Sequence, residues 1–207
     1  MTYIFDFDGT LVDSMPVFSA KMRGIFESLG LPVEEDFVKI ITPLGYVGTA
    51  GYAKSLGMAL STEEFVQMAT ESMVSAYHNT IPAKAQVEEA LLRLKGQGHS
   101  LNVLTASPHS VLDACLKRLG LDKLFDHIWS CNDFSMTKSD PRIYVAAAEK
   151  LGKCVGECIF LDDNLGAVTT AKQAGMYTIG VFDPSSEDCV EQMKATCDAF
   201  IYDFSSL

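Results

Sequence analysis

Short apolar runs alternate with amphipathic stretches over the C-terminal two-thirds of the chain. Tyr3–Phe7, Leu101–Thr105, Ile128–Ser130, Ile159–Leu161, Tyr177–Val181 and Ala199–Tyr202 predict strands. The stretches between them predict helices with readable ends. One follows Ser107-Pro108, carries Val111, Leu112, Cys115 and Leu119 on one face, and stops at Gly120. A second follows Asp140-Pro141, carries Ile143, Ala147 and Leu151, and stops at Gly152; a third runs through Val168 and Ala171 to Gly175. Proline in the first turn and glycine just past the last are the expected asymmetry of helix ends. Alternation of this kind predicts an α/β fold, a parallel sheet covered by helices on both faces.

From Asp13 to about Thr80 the alternation stops, and helix follows helix. Phe18, Met22, Ile25, Phe26 and Leu29 form one apolar stripe ending at Gly30. Ser61-x-x-Glu64 has the pattern of a capping box, opening a helix with Phe65, Met68, Ala69 and Ala76 inward. Between them, Thr42–Thr49 reads as a glycine-rich loop. Asp13 reads as the N-cap of the first of these helices. The organisation expected is a core of residues 1–13 and 81–207, with an all-helical cap, residues 14–80, inserted after the first strand and placed over the sheet.

Composition narrows the function more than the fold. A formal net charge of -11 disfavours nucleic acid and anionic membranes as partners. It leaves room for an anionic substrate, because a cation and a few local donors can reverse the field in a pocket. No apolar run reaches the length of a membrane span, and the early strand with Asp6 and Asp8 leaves no place for a signal peptide. The six cysteines are scattered; Cys154-x-x-x-Cys158 lacks a second Cys/His pair for zinc, and reduced thiols in a cytoplasmic protein are the expectation.

The chemistry sits at strand ends, where open parallel sheets collect ligands. The first strand runs into Asp6-Phe7-Asp8-Gly9-Thr10, the second ends at Thr105, the loop after the third carries Lys138, and the fourth ends at Asp162-Asp163. Acids crowded at one edge raise one another's pKa unless a cation intervenes. Mg2+ suits such hard oxygen donors and keeps sites for water and a substrate phosphate; Asp6-x-Asp8-Gly9 lacks the later ligands of a calcium loop. A carboxylate can also serve as the nucleophile of phosphoryl transfer, and an acid two residues on, Asp8, can protonate the leaving oxygen and later deprotonate water. Thr105 and Lys138 are suited to binding the transferring oxygens.

Asp6-Phe7-Asp8-Gly9-Thr10-Leu11-Val12-Asp13-Ser14 resembles the first motif of the haloacid dehalogenase superfamily. Leu101–Thr105, Lys138 and Phe160-Leu161-Asp162-Asp163 are similar to its second, third and fourth. The resemblance covers the whole chain and implies a Rossmann-like core with a helical cap between the first and second motifs. It implies Asp6 as nucleophile, Asp8 as acid/base, and Thr105, Ala106 and Lys138 as phosphate ligands. It further implies Mg2+ held by Asp6, the Asp8 carbonyl and Asp163, with Asp162 behind them. Two departures stand out: Lys138-Ser139-Asp140-Pro141 where the family often has Lys-Pro-Asp-Pro, and Pro82-Ala83-Lys84-Ala85-Gln86 without the glycine often found there.

Within the family that the sequence resembles, an aspartate at the position of Asp8 implies phosphate-ester chemistry rather than dehalogenation or phosphonate cleavage. The function expected is an Mg2+-dependent phosphatase acting on a small phosphorylated metabolite, with phosphoglycolate phosphatase-like members the nearest analogy. A β-phosphoglucomutase-like mutase and a non-catalytic phosphate- or metal-binding module are the alternatives. Tyr46, Lys39 and Lys54 are the candidates in the cap for reaching substrate, while His78, His99, His109 and His127 show no metal or triad spacing.

Overall fold

The structure, a computed structural model, describes residues 1–41 and 44–207, without the side chain of Lys39. Six parallel strands form one sheet: β1 Thr2–Phe5, β2 Ser100–Thr105, β3 His127–Ser130, β4 Cys158–Asp162, β5 Tyr177–Val181 and β6 Ala199–Ile201. Their spatial order is β3-β2-β1-β4-β5-β6. The chain therefore builds outward from β1 on one side, then returns to build outward on the other. The crevice above the carboxyl end of β1 is the topological switch point, where ligands bind in such sheets. This is the parallel sheet expected from the alternation and the Rossmann-like core implied by the resemblance, with strand boundaries moved by at most two residues.

Register then decides what stands at that edge. Phe5 is level with Val103 on β2 and with Leu161 on β4. The Asp6 N–H donates to the Leu161 carbonyl at 2.8 Å, so the pairing continues one residue beyond the strand. Side chains alternate across a strand. Ile4 and Phe160 belong to a core layer with Trp129, Tyr144, Ala147, Ala167 and Ala171. Tyr3 and Phe5 stack on the opposite face, with Phe125 and Phe204 against Phe5. Continuing the alternation puts Asp6 and Asp162 on the face of Ile4 and Phe160.

Two compact units divide the chain: Met1–Asp13 with Pro82–Leu207, and Ser14–Ile81. The second consists of α1 Met15–Ser28, α2 Phe37–Ile41, α3 Gly45–Ser55 and α4 Thr62–Asn79. Its core is aromatic: the Phe26 ring lies 4.6 Å from Phe37, 6.0 Å from Phe65 and 6.2 Å from Tyr52, centroid to centroid. The capping box at Ser61 is formed, with Ser61 and Glu64 each bonding the other's backbone N–H.

Two local expectations are corrected. Thr42 and Pro43 lie outside the described residues, but Gly45–Thr49, read as a glycine-rich loop, is the first half of α3. Glycine costs a helix about 1 kcal/mol per residue. Burial of Thr49, Ala50 and Ala53 outweighs it, and the Thr49 hydroxyl is anchored on the Ile41 carbonyl at 3.4 Å. The N-cap of α1 is Ser14 rather than Asp13, whose N–H instead donates to the Pro82 carbonyl at 3.0 Å.

The remaining helices cover the sheet: α5 Val87–Gly96, α6 His109–Leu119, α7 Arg142–Lys150, α8 Leu165–Ala174 and α9 Val190–Thr196. Among the described residues no helix is long and apolar enough to cross a membrane.

Candidate active site

Beyond Phe5 the chain turns sharply. Leu11 and Val12 both donate to the Phe7 carbonyl, and the Gly9 N–H returns to the Val12 carbonyl at 3.0 Å. Gly9 takes φ +74, and a Cβ there would fall 2.7 Å from the Asp163 carboxyl carbon. Only glycine combines that backbone with that approach. The loop is thereby packed directly against the end of β4.

Asp6, Asp162 and Asp163 are all buried, and each offers a carboxylate oxygen within 4.8 Å of the other two. Lys138 reaches them from the loop ahead of α7, pairing with Asp6 and, at 2.9 Å, with Asp162. Its ammonium also stands 5.6 Å over the Phe160 ring, which shows that it approaches from the face shared by Asp6 and Asp162. Asp163 is held separately by Thr10: the Thr10 hydroxyl donates to Asp163 Oδ1 at 3.0 Å and accepts the Asp163 N–H at 3.1 Å.

The electrostatics follow from burial and crowding. Burial above all, with repulsion from Asp162 and Asp8 and against the pull of Lys138, raises the Asp6 carboxyl to about 7. Burial likewise raises Asp163 well above the carboxylate range, with repulsion from Asp162, Asp6 and Asp183 added. For Lys138 burial opposes the charge, but Asp162 and Asp6 outweigh it and keep the ammonium above its ordinary range. With all three acids ionised, Asp6, Asp162 and Asp163 against Lys138 would carry two formal negative charges in a buried place; that excess resists ionisation and is what a divalent cation would neutralise. Hard oxygen donors fit Mg2+.

Thr105, Ala106 and Asp8 lie at the same edge of the sheet. Thr105 ends β2, buried, with its Oγ1 accepting the Ser107 N–H at 3.0 Å; Ala106 beside it is exposed. Asp8 is half-buried and accepts the Ser107 hydroxyl at 2.5 Å. Tyr46 and Lys54 sit on α3, half-buried and exposed respectively, whereas the Lys39 side chain lies outside the described residues.

Several supports were invisible in the sequence. The buried Tyr144 places its hydroxyl 2.9 Å from the Lys138 carbonyl and 3.1 Å from that of Ala167, fixing the loop that delivers the lysine. Ser107, Thr10 and Lys84 also reach the site's backbone or acids, across 75 to 153 residues of chain. No periodicity or spacing marks such partners; only Thr10, inside the first motif, carried a signal.

The chain as a whole is similar to known proteins. The chain is 29% identical over 189 residues to hexitol phosphatase B of Escherichia coli, covering 89% of this chain and 85% of the relative. It is 29% identical over 179 residues to the phosphorylated carbohydrates phosphatase of Thermotoga maritima, covering 85% and 82%. The crystal structure of a haloacid dehalogenase family hydrolase from Deinococcus radiodurans, with bound phosphate and sodium, superposes with a TM-score of 0.81. That pair is 19% identical, over 99% of this chain and 92% of the other, and shows the shared fold. The haloacid dehalogenase-like hydrolase profile matches residues 3–181, so the chain belongs to the haloacid dehalogenase-like hydrolases.

Proposed function

We propose that this protein is an Mg2+-dependent phosphatase that hydrolyses the phosphate monoester of a small phosphorylated sugar or polyol through an aspartyl-phosphate on Asp6. The observation that carries the reading is the buried trio Asp6, Asp162 and Asp163, with Lys138 paired to the first two. The two sequence relatives, a hexitol phosphatase and a phosphorylated-carbohydrate phosphatase, support the substrate class.

In this reading the Asp6 carboxylate attacks phosphorus as the ester P–O bond breaks, and Asp8 gives a proton to the leaving oxygen. Water then attacks the acyl phosphate, Asp8 takes its proton, and Asp6 is regenerated with inorganic phosphate. Ser107 orients the Asp8 carboxyl for both transfers. Two of the three Lys138 N–H groups are given to Asp6 and Asp162, and the third can reach a phosphoryl oxygen. Thr105 accepts from Ser107 while its own O–H donates to the phosphoryl group, joined by the Ala106 N–H. Mg2+ held by Asp6, the Asp8 carbonyl and Asp163 would offset the charge of the transferring oxygens. Asp162 acts through Lys138, which it holds in place.

The core and cap boundaries are proposed as 1–13 with 81–207, and 14–80. Tyr46, Lys54 and Lys39 are proposed to contribute to substrate choice. Six free thiols support a reducing, cytoplasmic location.

The test is phosphate release from a panel of sugar and polyol phosphates, with Mg2+ and with a chelator. Multiple turnover that requires Mg2+, together with an acid-stable trapped phosphoprotein lost in Asp6→Asn, is the expected result. Turnover that requires a sugar bisphosphate activator would indicate a mutase. Metal binding without release from any ester would indicate a binding module.

A further inference from the structure

Lys84 lies on the segment that re-enters the core from the helical unit, and its ammonium is fully engaged. It donates to the Gly9 carbonyl at 2.6 Å, the Phe182 carbonyl at 2.8 Å and Asp183 Oδ2 at 2.9 Å. An ammonium has three N–H groups, and three acceptors meet them. The pair is removed from solvent: the side chains are 16% exposed for Lys84 and 1% for Asp183. Asp183 is fixed in turn, its Oδ1 accepting the Ser185 N–H at 2.9 Å and the Ser185 hydroxyl at 2.5 Å. Lys84 is itself anchored, since its backbone N–H donates to the Leu11 carbonyl at 3.0 Å.

Three separate segments therefore meet on one nitrogen: the turn after the nucleophile strand, the return from the insertion, and the loop after β5. The contact to Gly9 is the informative one. Gly9 follows Asp8 directly and packs on the Asp163 carboxylate, closely enough to exclude a side chain. Movement of the Gly9 peptide would shift the Asp8 carbonyl and Asp8 side chain on one side and press on Asp163 on the other. A surface charge would not be buried against two backbone carbonyls, one of them in the turn that carries Asp8.

We propose that Lys84 is a positioning residue: through Gly9 and the Asp183 loop it sets the placement of Asp8 and Asp163 for metal binding and proton transfer. The proposal rests on the phosphatase reading above. Lys84 touches no reacting atom; it acts by holding the Gly9 carbonyl, in the peptide adjoining the one that carries the Asp8 carbonyl. Partners of this kind behind a metal site are worth roughly 10–100-fold in affinity or activity, and small misplacements of reacting groups carry similar penalties.

The experiment uses the full chain with Lys84→Met and with Lys84→Met/Asp183→Asn. Mg2+ binding is measured by titration calorimetry, and kcat and KM with an aryl phosphate and an active sugar phosphate. Lys84→Met is expected to weaken Mg2+ binding about tenfold and lower kcat roughly 10–100-fold, with KM little changed. The single variant also strands the Asp183 carboxylate in a buried place, which is destabilising in its own right. The double variant removes that charge and should recover denaturation stability while Mg2+ affinity and kcat stay low. Should the double variant regain affinity and kcat along with stability, Lys84 is only a structural ion pair and the proposal is wrong. Folded Lys84→Met with wild-type affinity and kcat overturns it too. If Lys84→Met fails to fold, the double variant carries the same measurements. Wild-type protein that binds Mg2+ but cleaves no ester refutes the phosphatase reading, while the calorimetry still decides the role of Lys84; wild type that binds no Mg2+ refutes both.

Discussion

The helical unit Ser14–Ile81 and the carboxyl edge of the sheet bury different kinds of residue. Inside the helical unit the buried side chains are Phe26, Phe37, Phe65, Met22, Ile41 and their like, with Ser14 and Thr49 the buried polar residues among those described. At the sheet edge Asp6, Thr10, Thr105, Asp162, Asp163 and Asp183 are all buried. Apolar burial stabilises whatever the pH or the metal content. Buried acids are tolerable only when paired or neutralised. One region is thus held by shape and the other by charge balance, and the two should respond to different perturbations.

The largest expected effect lies at the edge. Asp6→Asn should lower turnover at least about 10⁴-fold, since loss of a nucleophile removes the covalent route. Circular dichroism should show an intact fold, and kinetics near wild type would refute the assignment. The helical unit offers the opposite case. Phe26→Ala, at a fully buried ring with three aromatic neighbours, should cost about 3–5 kcal/mol in denaturant unfolding. Its Mg2+ affinity by calorimetry should be unchanged.

A third measurement separates shape from charge. The Asp6 carboxyl is raised from 3.8 to about 7 by burial, against the pull of Lys138. The folded chain therefore keeps a proton that the unfolded chain releases, so this contribution is present below about pH 4 and is lost as pH rises through about 7. With metal chelated, the denaturation midpoint should fall over that window, and Asp6→Asn should flatten the slope. Mg2+ at a hundred times its Kd should restore about 2.7 kcal/mol. A metal-free protein with equal stability across the window would break the comparison.

The smallest effect concerns backbone alone. Gln86 opens α5 at φ 64, the left-handed conformation that glycine adopts without strain. Gln86→Gly should stabilise the protein by about 1 kcal/mol, read from the denaturation midpoint, with kinetics unaltered.

Much of this was legible in the sequence because it is local. Buried strands show as apolar runs, and Asp6, Thr105 and Asp163 stand at or just after strand ends, whereas Lys138, in the loop after β3, was singled out only by its place in the series of motifs. The missing glycine before Val87 was also visible, and it marks the strained Gln86. What escaped was long-range or context-dependent. Lys84 finds Gly9 and Asp183 across 75 and 99 residues, and Ser107 finds Asp8 across 99. The glycines after Pro43 looked like a loop because their propensity is poor, and neighbouring buried residues decided otherwise. Asp13 looked like a cap, yet the helix begins one residue later with Ser14 at its N-cap, and the Asp13 N–H bonds the Pro82 carbonyl.

That last contact belongs to a small seam. Val12 and Ala83 form an antiparallel bridge, Asp13 bonds Pro82, and Lys84 bonds Leu11. The chain's exit from the core and its return are thus stitched side by side by the core's own residues. Between those stitches the intervening length is nearly unconstrained, since doubling a loop adds only about 0.6 kcal/mol of closure entropy. The doorway is fixed while the room behind it is exchangeable, so lineages could graft insertions of other sizes here without disturbing the catalytic strands.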